Sequence, residues 1–204
     1  MTKPRTHLCS VAFAIPLFAA LMILASAAFA ADEICMSCGP QVSVNGSFMH
    51  HKDRPSVAIE GVANNAAAFR EDVNGTNFTV TISALPAGKY TVIISAVETV
   101  ASAAGERVFD VSEGDKSLVK DFDIFASAGA AKKVATITAS VEHEDDALRG
   151  PMKLTFVASK GAAKFNTIEI KNASGDSMVS FSASELADAF SAAAVRVPDI
   201  AEPA

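Results

Sequence analysis

Two aspartates separated by one residue are the first candidates for chemistry in this 204-residue chain. Asp121 and Asp123 alternate with Phe122 and Ile124, so a strand would place both carboxylates on one face, roughly 7 Å apart. A retaining glycosidase needs two carboxyl groups about 5 Å apart, and the spacing alone therefore does not exclude catalysis. No Ser-His-Asp set, phosphate-binding loop or metal-ligand spacing accompanies them. We favour solvated or turn-bonding aspartates, and we predict no catalytic residue, no cofactor and no enzymatic activity.

The acidic segment from Glu142 to Asp146 and the pair His50-His51 are candidates for metal binding. Several carboxylate oxygens close together could hold calcium, but the segment has no EF-hand pattern. We therefore interpret it as a solvated hairpin loop, place the two histidines on the surface, and predict no metal site. Sequons for N-glycosylation, which a eukaryotic secretory pathway could use, occur at four positions: Asn45, Asn74, Asn77 and Asn172.

The N-terminus has the features of an export signal. Lys3 and Arg5 precede an apolar run from Val11 to Phe29, and Ala28-Phe29-Ala30 is a small-residue cleavage motif. We assign residues 1–30 to a signal peptide, with an uncleaved N-terminal anchor as the alternative because the run is long. The remainder is expected to be secreted, periplasmic or at the cell surface.

Export changes the interpretation of Cys35 and Cys38, which are separated by two residues. In an oxidising compartment such a pair favours a disulfide, with free thiols as the second interpretation. Metal or redox chemistry ranks third, since zinc needs four ligands and a redox motif needs a βαβ context.

Charge restricts the partners. The formal net charge is -6, and it falls to about -8 when Lys3 and Arg5 are removed with the signal. Nucleic acids and anionic lipids require a basic surface, so neither is expected as a partner.

The elements that must position any site are short strands. In Asn77 to Leu85, Phe78, Val80 and Ile82 alternate with polar residues, which no helix can place on one face. The nearly continuous apolar run Lys89 to Val97 predicts burial on both faces or a central position. Further strands are predicted at Ser56–Glu60, Arg107–Val111, Leu118–Phe125, Val134–Val141, Met152–Ala158 and Phe165–Lys171.

Short strands at this spacing, without long amphipathic helices, predict an all-β fold, an antiparallel sandwich or jelly roll, over residues 31–171. Residues 172–204 are rich in Ser and Ala and are predicted to be an appendage or linker, with a short helix from Ser184, as cap, to Ala194. Five phenylalanines are assigned to the core: Phe78, Phe109, Phe122, Phe125 and Phe156. Four others remain available for a surface: Phe48, Phe69, Phe181 and Phe190.

Several segments resemble the malectin and malectin-like family. The resemblance extends over roughly Cys38 to Lys171 and is strongest from Ala87 to Ala128 and near its end. The matching segments are "CGP" at 38–40, "GKYTVIISAVE" at 88–98, "RVFDV" at 107–111, "KDFDIF" at 120–125 and "MKLTFVASKGAAKFNTIEI" at 152–170.

The resemblance implies a jelly-roll, galactose-binding-like β-sandwich that binds carbohydrate without catalysis. Family members occur as modules on receptors and on secreted glycoside hydrolases. An oligosaccharide or glycan, of glucan or other type, is therefore the expected ligand. A glycoside hydrolase or a cell-surface protein is the expected partner.

The family's sugar site matches this chain only in part. Where the family places aromatic rings after the "F-A-E" strand, this chain has Val100 and Ala101, and Gly161 stands where the family has an acidic residue. Phe69 matches a tyrosine position. The resemblance thus implies contacts from Phe69, Arg70, Glu98 and Lys160, on the loops Phe69–Glu71, Glu98–Ala101 and Lys160–Ala162. The alternative is a structural or protein-interaction domain that has lost the sugar site.

Overall fold

The computed structural model describes residues 40–51, 58–60, 62, 66–144 and 150–186. Within these ranges the backbone forms ten strands, a single 3-10 turn at Ala66–Phe69, a short helix, α1, at Ile124–Ala128, and a helical stretch at residues 183–186. The strands are β1 Gln41–His51, β2 Asp72–Ser83, β3 Gly88–Val97, β4 Val108–Glu113, β5 Lys116–Phe122, β6 Val134–His143, β7 Met152–Lys160, β8 Ala163–Phe165, β9 Thr167–Asn172 and β10 Ser177–Ser182.

The strands form two antiparallel sheets. The first has the order β1-β2-β7-β4-β5, with β8 also paired to β2, and the second has the order β10-β9-β3-β6. Buried side chains from both sheets form one hydrophobic cluster, so the sheets enclose a common core. The all-β antiparallel sandwich predicted from the sequence is confirmed.

Period-two patterning explains how the central strands bury one face. Phe78, Val80 and Ile82 of β2 are at most 1% exposed, and they lie opposite Phe156, Leu154 and Met152 of β7. Burying each such side chain stabilises the fold by roughly 1.5–3 kcal/mol, and a slip of one residue would turn the whole row outward. The central position predicted for the Lys89 to Val97 run is also confirmed, because β3 pairs with β6 and β9.

Stacked rings fill the middle of the core. Phe78 and Phe156 lie parallel with centroids 4.7 Å apart, and Phe165 lies 5.6 Å from Phe156. The core positions predicted for Phe78, Phe109 and Phe156 are confirmed. Two further rings that had been left for a surface, Phe69 and Phe181, are buried as well.

The predicted strand Leu118–Phe125 ends early. Phe122 and Phe125 are half-buried, β5 stops at Phe122, and Asp123 caps α1. The sequence carries the helix signals, since Asp123 accepts a hydrogen bond from the N–H of Ala126 and Gly129, at φ 76°, ends the helix in the left-handed conformation. Ile124, not Phe125, occupies the core.

The closing segment Phe165–Lys171 is two strands rather than one. β8 ends at Phe165 and pairs with β2 of the first sheet, whereas β9 begins at Thr167 and pairs with β3 of the second. Asn166 therefore stands where the chain crosses from one sheet to the other. A polar residue can occupy this buried position only because its hydrogen bonds are satisfied there.

The chain beyond residue 171 contributes to the second sheet. β10 pairs with β9 and buries Val179 and Phe181, so an edge strand stands where the composition predicted an appendage. Residues 183–186 are helical. Their cap is Ser182 and not Ser184, because the Glu185 carboxylate accepts from the Ser182 N–H at 2.6 Å while the Glu185 N–H donates to Ser182 Oγ at 3.4 Å.

Two differences remain at the N-terminal side. β1 was not predicted, since it is an edge strand in which only Val44 is buried. Of the predicted strand Ser56–Glu60, the first two residues lie outside the described residues, the next two are unpaired, and Glu60 forms one parallel bridge with Lys133. Also outside the described residues are the predicted signal peptide of residues 1–30, Cys35, Cys38, Phe190 and the predicted helix beyond residue 186.

Candidate functional site

The loop that follows β3 is shaped by one buried carboxylate. Glu98 is fully buried, and its Oε1 accepts from the backbone N–H groups of Thr99 at 2.9 Å, Val100 at 2.8 Å and Ala101 at 2.9 Å. A carboxylate that accepts several backbone N–H groups fixes the path of the loop around it. These bonds hold the loop in place without a ligand.

The second oxygen of Glu98 connects this loop to another. Oε2 accepts from Nε of Arg107 at 2.5 Å, and Nη1 of Arg107 donates to the carbonyl of Ala162 at 2.6 Å. The turn between β7 and β8 approaches closely at Gly161, which has φ 63° and where a Cβ atom would lie 2.8 Å from the carbonyl of Glu106. Arg107 thus joins the loops Glu98–Ala101 and Lys160–Ala162.

The environment of Glu98 favours its charged form. Burial alone would raise the pKa of this carboxyl, but the N–H groups of Ala101 and Val100 and the charge and hydrogen bond of Arg107 outweigh burial and lower the pKa below its ordinary value of 4.5. The ion pair is therefore intact at neutral pH.

Asn166 connects the third loop. Its Oδ1 accepts from the N–H of Val97 at 2.8 Å, and its Nδ2 donates to the carbonyls of Glu71 at 2.7 Å and Phe69 at 3.2 Å. Because Val97 immediately precedes Glu98, the loop Phe69–Glu71 is held to the same end of β3. The three loops named from the sequence form one edge of the sandwich, which we call the rim.

The predicted site residues have different roles in this rim. Arg70 and Lys160 are exposed, and Val100 is 71% exposed. Glu98 has both oxygens occupied by protein donors, so it positions the loop and is not accessible to a ligand. Phe69 is only 9% exposed and lies outside the main core cluster.

Sequence reasoning missed the two residues that hold the rim together. Arg107 begins the segment "RVFDV" and Asn166 lies within "FNTIEI", which were noted as predicted strands and as parts of a resemblance, with no role assigned to either residue. Their polar character inside apolar strand segments was the available signal, because a polar group at such a position needs buried partners.

Asp121 and Asp123 do not form a pair of free carboxylates. Asp121 has φ 50°, so the extended alternation that would place both on one face is broken there. Asp123 bonds to backbone on both oxygens, from the N–H of Ala126 at 3.0 Å and from the N–H of Gly105. The prediction of a turn-bonding aspartate is confirmed for Asp123.

A second polar cluster fixes β1 to β2 next to the rim. Lys164 and Asp72, each about 1% exposed, are 3.0 Å apart, and Asn74 donates to Asp72 at 2.6 Å. His51 lies 3.3 Å from Asp72, and Nε2 of His50 lies 3.0 Å from Glu71. The surface position predicted for His50 is wrong, since its side chain is 14% exposed. His51 is 40% exposed.

Metal binding has little support among the residues that the structure describes. They contain no group of three His, Cys, Asp or Glu side chains arranged to hold an ion. In the acidic segment, residues 145 and 146 lie outside the described ranges, Glu142 pairs with Lys89 across the β3-β6 ladder, and His143 is buried. Within the same ranges, no helix is long and apolar enough to cross a membrane.

The two antiparallel sheets and the connected loops define a jelly-roll type of β-sandwich. The chain belongs to the malectin domain family, whose model matches residues 46–179. No curated protein matches the chain. The match includes the β9-β10 ladder up to Val179, and thus agrees with the place of β10 in the second sheet.

Solved structures share this fold at low sequence identity. The extracellular domain of ANXUR2 from Arabidopsis thaliana aligns with TM-score 0.55 and 11% identity over 63% of this chain and 40% of that one. A mutant of Bacteroides uniformis beta-glucuronidase 2 aligns with TM-score 0.51 and 13% identity over 64% and 14%. A structure of the plant peptide RALF23 in complex with FER and LLG2 aligns with TM-score 0.50 and 13% identity over 60% and 38%. The chain thus spans less than half the length of these proteins.

Proposed function

We propose that the chain is an exported, non-catalytic module that binds carbohydrate of glucan or another oligosaccharide type. The observation that carries the proposal is the rim itself, in which Glu98, Arg107 and Asn166 hold three loops together before any ligand arrives. A preorganised site loses little conformational entropy on binding, which suits the shallow recognition of sugars. We expect dissociation constants in the millimolar to micromolar range, about -4 to -8 kcal/mol.

Two carboxylates that are fully bonded within the protein favour a binding role over an enzymatic one. Both oxygens of Glu98 and both of Asp123 accept hydrogen bonds from the protein. A general acid or nucleophile must instead reach the substrate. The glycoside hydrolase partner suggested by the family remains part of this proposal.

Export is supported by the residues that precede the domain. The basic start, apolar run and cleavage motif of residues 1–30 are typical of a signal peptide, and the similar ANXUR2 structure is that of an extracellular domain. In that setting we propose a disulfide between Cys35 and Cys38. Mass spectrometry of the exported protein, with and without reductant, measures both the cleavage and the bond.

A glycan array probed with the full chain, purified as its host exports it, tests carbohydrate binding. Arg70→Ala and Lys160→Ala remove exposed rim side chains, so they should weaken binding without changing stability. Lys153→Ala is the matched control, because Lys153 is exposed at the opposite end of the strand that carries Lys160. If the folded protein binds no glycan on the array, the proposal is refuted.

A protein-interaction domain is the second candidate, and the exposure of Val100 favours it. A large apolar side chain that is 71% exposed stands where the family resemblance implies an aromatic ring for sugar. The similar structure with the peptide RALF23 shows a member of this fold in a protein complex. A silent array, together with binding to a secreted peptide that Val100→Asp abolishes, would establish this candidate instead.

A further inference from the structure

The outward face of the second sheet carries polar side chains in register. Across β3, β9 and β10, Ser95 lies opposite Thr167, and Thr167 lies opposite Ser182. Neighbouring strands are about 4.8 Å apart, so these residues form a row of hydroxyl groups at that spacing. A second row lies two residues along each strand and consists of Ile93, Glu169 and Ser180.

Two walls turn this face into a groove. Ala68 and Phe69 of the rim border one side, and Glu185, in the helical turn after β10, also lines it. The groove has a volume of about 400 Å³, in the lower part of the roughly 300–1,000 Å³ typical of small-molecule sites. Phe69 contributes an apolar surface beside these two rows.

Part of the polar lining is available to a ligand. Glu185 and Ser182 bond to each other in the helix cap. In contrast, the hydroxyl groups of Thr167 and Ser180 make no hydrogen bond within the described part of the chain. Among the described residues, the one ion pair of Glu169 is with Lys171, at 3.5 Å. The central positions of both rows can therefore donate to or accept from a bound molecule.

We propose that this groove extends the carbohydrate site from the rim at Phe69 and that it accepts a neutral oligosaccharide end. The inference rests on the proposed carbohydrate function and adds a location and a ligand class to it. Sugar rings have an apolar face and a hydroxyl rim, and they bind where an apolar wall adjoins directed polar groups. Phe69 with Ala68 supplies the wall, and Thr167, Glu169 and Ser180 supply the polar groups.

Charge selects a neutral ligand over an acidic one. The described lining includes two carboxylates, Glu169 and Glu185, and no basic side chain. The chain as a whole carries a net charge of -6. A uronic acid would bring a third negative charge into the groove, and like charges brought together raise the free energy of the complex. Arg70, the nearest exposed cation in sequence to Phe69, and Lys171, the ion-pair partner of Glu169, are not part of the lining.

Titration of the full chain, followed by amide chemical shifts, tests the location and the ligand class together. The probes are maltose, cellobiose and laminaribiose, with cellobiouronic acid as the charged counterpart of cellobiose. Shifts should concentrate on β9 and β10. The acid should bind roughly tenfold more weakly than cellobiose. Tighter binding of the acid would overturn the neutral ligand class.

Substitutions within one sheet face test the groove itself. Thr167→Val removes a hydroxyl group, and Glu169→Gln replaces a charged acceptor with a neutral one. Each variant preserves shape and should weaken binding by roughly 3–10-fold, as expected for one lost or weakened hydrogen bond. Thr138→Val is the control, because Thr138 is exposed on the same outer face, opposite Ile93, but does not line the groove. Valine retains β-branching, so strand stability is unchanged.

The outcomes separate the two proposals. Binding that tolerates both groove variants but is lost with Lys160→Ala overturns the groove and leaves carbohydrate binding by the rim intact. No binding to any neutral sugar, by titration or on the array, overturns both. If Thr138→Val and Thr167→Val weaken sugar binding equally, the groove proposal is also wrong, since the effect would then not depend on the position of the threonine.

Discussion

The ion pair between Glu98 and Arg107 should stabilise the rim through charge, and a double-mutant cycle measures this contribution. Arg107→Met keeps an unbranched apolar stem but leaves the Glu98 carboxylate buried without its cation. Breaking a buried pair costs roughly 3–5 kcal/mol. We expect about 3 kcal/mol here, because three backbone N–H groups still bond to Glu98.

Glu98→Gln should lower the free energy of unfolding by less, about 2 kcal/mol. The amide oxygen can still accept from the loop N–H groups, and Arg107, whose side chain is 14% exposed, can reach water. In the double variant no buried charge is left unpaired. We therefore expect a total cost of about 3 kcal/mol rather than the sum of about 5, which is a coupling energy of about 2 kcal/mol.

Urea unfolding of the full chain is the assay. With a slope of about 2 kcal/mol per molar urea, the Arg107→Met variant should unfold at a midpoint lower by roughly 1.5 M, with the slope unchanged. Arg70→Ala, which removes an exposed arginine from the same rim, is the control and should shift the midpoint little. If the two single costs add within about 0.5 kcal/mol, the pair contributes nothing through charge and the argument is wrong.

Further predictions concern Glu98 in acid, Asn166 and the N-glycosylation sequons. The folded-state pKa of Glu98 lies below its ordinary value of 4.5. The charged carboxylate therefore stabilises the fold fully above pH 4.5, and this stabilisation is lost as the pH falls below 4.5 and through the folded-state pKa. The unfolding free energy of Glu98→Gln should thus fall less steeply than that of the wild type in acid, as pH-dependent urea melts will show. Asn166→Ala removes three side-chain hydrogen bonds. It should lower the free energy of unfolding by about 3 kcal/mol and speed amide hydrogen exchange at the end of β3. Unchanged exchange would contradict the role of Asn166. In a eukaryotic secretory host, glycopeptide mapping should find Asn74 without a glycan because it is buried. The exposed Asn45 and Asn77 should carry glycans instead. A glycan on Asn74 would contradict its buried position.

The strands that follow one periodic face were predictable from sequence, and the exceptions have local causes. β2 from Asn77 to Ser83 and β7 from Met152 to Val157 alternate strictly, and both were predicted. At Asp121 to Ile124 the same alternation occurs, but a left-handed Asp121 and a capping Asp123 convert it into a helix start. β1 buries only Val44, so edge pairing, not a hydrophobic face, determines it.

The rim was predictable only as a set of loops. Each loop was named from the family resemblance, and the structure brings all three together. Their connections depend on pairs far apart in sequence, since Arg107 bonds to Ala162 and Asn166 bonds to Glu71. No local pattern encodes such contacts, and the sequence could therefore indicate where the loops are but not what holds them.

Glu98 shows why a family motif does not by itself identify a binding residue. The resemblance placed it at a characteristic glutamate, and the structure gives it a full set of internal partners. A residue of this kind preserves the shape of a loop whatever ligand the loop serves. Recognition is then left to positions that the scaffold does not need, such as Arg70, Lys160 and the hydroxyl rows of the second sheet. Those positions can change without loss of the fold, so family membership predicts the frame and the exposed side chains determine the ligand.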